Sequence, residues 1–168
     1  MNKIKKILAP TDLSELSQVG VRYALELAKG VGAEVTAYHV VTYNEISEYH
    51  GEVEQRVFAS YDLHAPNQLL ERSKHALSQF LKDHFSDLIS SVKLREKTEL
   101  GHADKNIVQE AETEKSDLIV ISTHGRTGFS HVLMGSVTEK VVRQAPCPVL
   151  SIRPPKEQQE TREAAGIS

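Results

Sequence analysis

The 168-residue chain has little of what several large classes of protein require. Its single cysteine, Cys147, can form neither an intrachain disulfide nor a cluster of thiolates around a metal. Its 20 lysines and arginines against 23 aspartates and glutamates argue against broad binding to nucleic acid or anionic membranes. No apolar run approaches the roughly 18 to 20 residues of a membrane-spanning helix, and the N-terminus lacks the apolar core of a secretory signal. We therefore expect a cytoplasmic protein that contacts neither nucleic acid nor membrane.

Several nucleotide-enzyme motifs are also missing. The sequence has no GxxxxGK[ST] phosphate loop, no GxGxxG after the first predicted strand and no kinase-type HRD or DFG set. Its eight histidines show no HxxxH or HxxEH spacing, so we predict no metal held by protein ligands. His124 follows a threonine and precedes a glycine with no identifiable nucleophile partner, and we assign no catalytic residue.

What the chain does have is an alternation of strand and helix patterns. A short branched run, 4–9, stops at Pro10, and Asp12 with Glu15 forms a capping pair for a helix that ends at Gly30 and Gly32. The remaining predicted elements follow in chain order: strand 34–41, helix 69–81, strand 92–100, a helix around 107–111, strand 118–121, a helix from 135 through 142, and strand 149–152.

Five strands alternating with helices predict a single α/β domain over residues 1–154, with a five-stranded parallel sheet and helices on both faces. The irregular segment 42–66 is a long connection that could act as a lid or as a dimer contact, and the polar segment 155–168 is a disordered tail. If the strand order is 3-2-1-4-5, the winding reverses between strands 4–9 and 118–121, where such sheets bind ligands. Residues 10–12 are then predicted to lie beside residues 122–125.

The segment STHGRTGFSHVLMGS, residues 122–136, contains three glycines, which allow positive φ and a close approach of backbone N–H groups to an anion. A helix that begins at Gly135 adds unpaired N–H groups and the positive end of its dipole. The candidate phosphate ligands are these helix-start groups and one nearby cation: Gly135, Ser136, Thr138 and Arg126. The alternative is that the glycines only shape a turn and Ser136 only caps a helix.

Two further residues have a structural and a ligand-binding interpretation. Asp12 could accept from a ribose hydroxyl or an adenine amino group, or could be an ordinary helix cap. Val40 could flank an adenine ring at the end of its strand, or simply fill the core.

Over residues 3–153 the chain resembles the universal stress protein family. The segments that carry the resemblance are KKILAPTDLS, YHVV, SDLIVISTHGRTG and GSVTEKVVRQAPCPVLSIRP. The nucleotide-binding branch of that family has the pattern G-x2-G-x9-G-[ST], whose last three elements are matched by Gly125, Gly135 and Ser136. Ser122 replaces the first glycine, and its side chain either turns away or donates to the ribose.

The resemblance implies the Rossmann-like fold of the adenine nucleotide α-hydrolases and a set of ligand contacts. Four residues would frame adenosine: Pro10, Thr11, Asp12 and Val40. Others would hold the phosphates: Gly125, Gly135, Ser136 and Val137, with His124, Arg126 and Thr138 contributing. It also implies a homodimer formed through the last strand, 148–152.

The leading functional hypothesis is a homodimeric stress-response protein that binds ATP, ADP or AMP, with or without Mg²⁺, and signals to a protein partner that the sequence does not identify. It would have little or no turnover, because no carboxylate pair for Mg²⁺ and no positioned base accompany the predicted phosphate site. One alternative is a slow ATPase or phosphotransferase that uses Thr11, His124 or Ser136. Another is a nucleotide-free interaction dimer, which the serine at position 122 favours and the retained glycines disfavour.

Overall fold

The computed structural model describes residues 3–42, 45, 65–125 and 134–155. Within these ranges five strands form one parallel sheet. In chain order the strands are β1 (Lys6–Pro10), β2 (Glu34–Thr42), β3 (Lys93–Gly101), β4 (Leu118–Ser122) and β5 (Val149–Ile152). Their spatial order is β3-β2-β1-β4-β5, which confirms the predicted order and places the reversal of winding between β1 and β4.

The helices of the described ranges cover both faces of this sheet. They are α1 (Gln18–Val31), α2 (Ala65–Ile89), α3 (Ala103–Thr113) and α4 (Ser136–Gln144). Helices α1 and α2 share a core with Ile7, whereas α3 and α4 share a separate core with Leu8. Since successive strand residues point to opposite faces, the two cores lie on opposite sides of the sheet. The predicted doubly wound α/β fold is confirmed.

Strand β4 is the central element that positions the site. All five of its residues are buried, including the terminal Ser122, because helices cover the strand on both faces. It pairs with β1 on one side, through Leu8 and Ile119, and with β5 on the other. The carboxyl ends of β1 and β4 therefore lie side by side.

The start of α1 differs from the prediction. Asp12 and Glu15 do not form a capping pair: a short 3₁₀ turn, Glu15–Ser17, precedes α1, and its N-cap is Ser14, whose Oγ accepts from the Ser17 amide at 3.2 Å. The Asp12 carboxylate turns back on the loop and accepts from the amide and hydroxyl of Ser14, at 3.0 and 2.6 Å. Aspartate two residues before an amide readily makes such a turn, which competes with capping.

The end of α1 and the length of α2 can also be compared with the prediction. Gly32 ends α1 in the left-handed region at φ 72°, as a C-terminal glycine should, while Gly30 lies inside the helix. Helix α2 extends beyond the predicted 69–81, with non-helical backbone angles at Phe85. The predicted connection 42–66 and tail 155–168 lie largely outside the described residues.

Candidate functional site

The loops that follow β1 and β4 meet at the reversal of winding, as the sequence predicted. The point of contact is between Asp12 and Gly125: a Cβ atom at Gly125 would overlap Asp12 Oδ2 and lie 3.1 Å from its Cγ. We call the region between residues 10–14, 122–125 and 135–138 the switch-point cleft. Its two halves are the first loop, 10–14, and the start of α4.

The first loop has a strained but well-supported backbone. Leu13 adopts φ 63°, a left-handed conformation that costs a residue with a Cβ about 1 to 2 kcal/mol. Thr11 holds the loop: its amide donates to the Tyr38 carbonyl at 2.9 Å, and its Oγ1 accepts from the Leu13 amide at 3.1 Å. Thr11 Oγ1 also shares a hydrogen bond with Ser17 Oγ at 2.8 Å. Strain maintained by surrounding bonds is typical of functional loops.

His39 is a support of this loop that sequence reasoning missed. The side chain is 2% exposed, and its Nδ1 lies 3.0 Å from the Thr11 carbonyl oxygen. Because a carbonyl only accepts, Nδ1 carries the hydrogen in this bond. The only sequence signal was the position of a polar residue within a buried strand, directly before Val40.

The second half of the cleft is fixed to the end of β4. Ser122 Oγ donates to the Leu16 carbonyl at 2.8 Å, so the serine side chain points toward the 3₁₀ turn that precedes α1. Thr138 Oγ1, in the first turn of α4, donates to the Ser122 carbonyl at 2.8 Å, and the Gly135 amide donates to the Thr123 carbonyl at 2.7 Å. These bonds hold the start of α4 against the sheet.

The glycines of this region serve a different purpose from the one predicted. Among the glycines that the structure describes, Gly32 and Gly101 have positive φ, whereas Gly135 has φ −63° and Gly125 is not in the left-handed region. These two positions therefore do not use the positive φ that glycine allows. Space is the reason for glycine: a Cβ at Gly125 would displace Asp12, and one at Gly135 would lie 3.1 Å from the Thr123 carbonyl oxygen.

The start of α4 provides backbone donors that the helix itself does not pair. Gly135 is its N-cap and provides no side-chain bond, so Ser136 is the first helical residue and not the cap. Ser136 is exposed, and the amides of the first turn lack intrahelical partners. Val137 packs against the same core as Val40 and so lies on the α3–α4 side of the sheet.

His124 lies in the second loop but is buried, at 5% exposure, and its Nδ1 is 2.8 Å from Thr123 Oγ1. Arg126 and Gly128 lie outside the described residues. Over the described part of the chain, no group of three or more histidine, cysteine, aspartate or glutamate side chains could hold a metal ion, and none of the helices there is long and apolar enough to cross a membrane.

A network of charged and polar groups joins β2 and β3 to α3, on the face of the sheet whose core includes Val40. Tyr38 Oη donates to Glu99 Oε2 at 2.6 Å, and Lys97 Nζ contacts both Glu99, at 3.0 Å, and the buried Glu110, at 2.6 Å. Burial, and then the bond to Glu99, raise the pKa of Tyr38 well above its usual range, and the same bond lowers the pKa of Glu99. Burial opposes the charge of Lys97, but its bonds to Glu110 and Glu99 outweigh this and raise its pKa.

Gly20 is the second residue that sequence reasoning missed. It lies inside α1, and a Cβ there would be 2.7 Å from the backbone nitrogen of Ser122. Glycine at this position thus allows α1 to approach the end of β4, as glycines do where a helix packs closely on a strand beside a nucleotide site. The signal was a glycine at a buried position of a predicted helix, which usually indicates close packing.

The strand order defines a doubly wound, Rossmann-like α/β protein, a class in which ligands bind at the switch point of the sheet. The profile of the universal stress protein family matches residues 3–153. The chain is also 35% identical, over 94% of its length and 86% of the relative's, to universal stress protein MJ0531 of Methanocaldococcus jannaschii. The chain therefore belongs to the universal stress protein family, which confirms the resemblance.

Solved structures agree with this assignment. The protein MJ0577, a universal stress protein of the same archaeon, superposes with a TM-score of 0.69 at 30% identity and covers 92% of this chain and 99% of its own. A universal stress protein solved in complex with cAMP superposes with a TM-score of 0.63 at 19% identity, covering 90% of this chain and 98% of its own. The second likeness shows the shared fold.

Proposed function

We propose that this protein binds an adenine nucleotide, ATP or its products ADP and AMP, in the switch-point cleft, and acts as a homodimeric regulator with little or no turnover. The observation that carries the proposal is the contact between the Asp12 carboxylate and Gly125, which brings the two loops of the cleft together at the reversal of winding. Ligands of doubly wound sheets bind at this position.

The first loop forms the adenosine half of the proposed site. Two bonds from Ser14 hold Asp12 Oδ1 and fix the carboxylate, which accepts from a ribose hydroxyl or from the adenine amino group. Pro10, Thr11 and Val40 frame the rest of the nucleoside. The left-handed Leu13 keeps the loop in this shape before any ligand arrives, and such preorganisation reduces the entropic cost of binding.

The start of α4 forms the phosphate half. Backbone amides at Ser136 and Val137, beside Gly135, donate to phosphate oxygens, and the exposed Ser136 hydroxyl adds a donor. Thr138 contributes through its backbone, because its hydroxyl already donates to Ser122. Gly125, His124 and Arg126 complete the proposed contacts, and Mg²⁺, where present, is bound through the phosphates. The relative solved with cAMP shows that this fold accepts an adenine nucleotide, and the proposal for this chain depends on its own residues.

Strand β5 forms the proposed dimer contact. It is the last strand of the sheet, it pairs with β4, and its residues are half-buried. Helix α4, which contacts β5, also exposes an apolar side chain, Val142, at 46%. A second copy that pairs along this edge satisfies its backbone groups and covers the apolar side chains.

Calorimetric titration with ATP, ADP and AMP, with and without Mg²⁺, tests nucleotide binding. We expect saturable micromolar binding by the wild type. In Gly125→Ala the new methyl group displaces the Asp12 carboxylate, and affinity should fall at least tenfold, equivalent to about 1.4 kcal/mol. Gly30→Ala is the matched control, since no atom lies within 4 Å of a Cβ there, and it should bind as the wild type does.

The absence of binding heat for all three nucleotides in the folded wild type would overturn the proposal in favour of a nucleotide-free interaction dimer. Turnover is tested in the same samples by phosphate release. Steady release that His124→Ala abolishes would instead establish the slow ATPase alternative.

A further inference from the structure

Ser122 is in contact with both helices that flank the cleft. It is 4% exposed at the end of β4. Its hydroxyl donates to the Leu16 carbonyl, in the turn that leads into α1, and its own carbonyl accepts from Thr138 Oγ1, in the first turn of α4. Both distances are 2.8 Å. A single residue thus joins the 3₁₀ turn that directly follows the first loop to the start of α4, the phosphate half of the proposed site.

The approach of α1 makes the first of these bonds possible. Because Gly20 has no Cβ, the backbone of α1 lies close to the Ser122 amide, within reach of the serine hydroxyl. Leu16 is 1% exposed, so its carbonyl oxygen lies in the interior. Leaving a buried acceptor without its donor costs free energy. If the serine hydroxyl is removed, the turn that contains Leu16 must therefore shift until its carbonyl finds another donor.

We infer that Ser122 is a positioning residue for the nucleotide: it sets the first loop at a fixed distance from the start of α4 without contacting the ligand. The inference depends on the proposed function. The single hydrogen of its hydroxyl is donated to Leu16, and the hydroxyl oxygen accepts from the His124 amide at 3.4 Å, so no hydrogen of this side chain is left to donate to a ligand. A ligand that contacts one half of the site does not require this alignment, whereas a ligand that spans both halves does.

Comparing the affinities of the two kinds of ligand distinguishes a positioning role from a general loss of stability, which would weaken the binding of both. ATP spans both halves and adenosine contacts only the first loop, so the two ligands are titrated in parallel. We expect Ser122→Ala to weaken ATP binding about fivefold to tenfold, the range of one net hydrogen bond, and to change adenosine binding less than about twofold. The matched control is Ser91→Ala, which removes a similar bond of 2.7 Å to the Leu88 carbonyl, far along the chain at the end of α2. It should change neither affinity.

Thr138→Val tests the second connection, because valine keeps the shape of threonine and removes the hydroxyl. We expect the same selective loss of ATP affinity, and a double variant whose loss is smaller than the product of the two single losses, since both variants uncouple the same two halves. If thermal unfolding shows that Ser122→Ala does not fold, Thr138→Val alone decides the question by the ratio of its ATP and adenosine affinities.

Three outcomes would overturn the inference. Equal losses for ATP and adenosine would mean that Ser122 only stabilises the fold, and unchanged ATP affinity in the folded variants would mean that the alignment does not matter. Both leave the proposed function intact. A wild type that binds neither ligand overturns the proposed function, and this inference with it.

Discussion

At the residue scale, the two loops of the switch-point cleft meet where the Asp12 carboxylate lies against Gly125. The sequence correctly predicted that Asp12 lies beside residues 122–125. Whether its carboxylate caps the helix or bonds to Ser14 depends on its side-chain rotamer, which the periodicity of the sequence does not predict. For Gly125 the sequence suggested backbone freedom, and the structure shows that the missing side chain leaves room for Asp12. The space around a glycine depends on a residue more than a hundred positions away, so a local pattern cannot predict it.

Tyr38 allows a prediction at this scale, because its hydroxyl is a buried donor to a carboxylate. Tyr38→Phe should lower the free energy of unfolding at pH 7 by about 1 to 2 kcal/mol. Tyr23→Phe is the matched control: Tyr23 is 45% exposed, and its variant should remain within about 0.5 kcal/mol of the wild type.

The effect of Tyr38→Phe should depend on pH in a defined direction. The bond lowers the pKa of Glu99 below its usual value, so the contribution of the bond to stability is present above the usual value and is lost as the pH falls through the lowered pKa. The difference between wild type and variant, measured by urea unfolding, should therefore narrow from pH 7 to pH 3. A difference that widens on acidification would contradict the assigned bond.

At the element scale, the strands and their order could be predicted because their signals are local and repeated. Unbroken branched runs, such as the one in β4, are typical of strands buried on both faces, and the alternation with helices predicts a doubly wound sheet. The distance between α1 and β4 could not be predicted in this way. It is set by Gly20, and helical periodicity does not distinguish a glycine that permits contact from one that is merely tolerated.

Gly20→Ala tests this close approach. Alanine favours a helix by about 1 kcal/mol over glycine, but here its Cβ would lie 2.7 Å from backbone that cannot move freely. We expect a net loss of about 1 to 3 kcal/mol in the free energy of unfolding, measured by denaturant titration. The control, Gly30→Ala, has open space and should gain about 0.5 to 1 kcal/mol. Stabilisation by both substitutions would show that α1 is not packed as described.

At the scale of the whole molecule, the sheet has two edges with different chemistry. Strand β3 carries charged side chains along its length, a pattern that discourages edge pairing, whereas β5 is short and apolar. The proposed dimer uses the β5 edge. The switch-point cleft lies at the ends of β1 and β4, one strand away from this edge, so the proposed dimer would leave the proposed nucleotide site within each subunit.

Sedimentation equilibrium tests the dimer. We expect the wild type to have twice the 18.7 kDa mass of the chain. Ser151→Lys, which brings like charges together across the proposed contact, should yield monomers, whereas Glu96→Lys on the opposite edge strand should remain dimeric. A wild-type monomer, or dissociation by Glu96→Lys, would exclude the β5 contact.

The measurement that tests the central claim most directly is a titration of the ¹⁵N-labelled protein with ATP, observed through its backbone amide resonances. It reports both whether the nucleotide binds and where. We predict saturable shifts that concentrate at residues 11–13, 122–125 and 135–138, where the first loop, the end of β4 and the start of α4 meet. The absence of shifts, or shifts confined to another part of the sheet, would contradict nucleotide binding at the switch-point cleft.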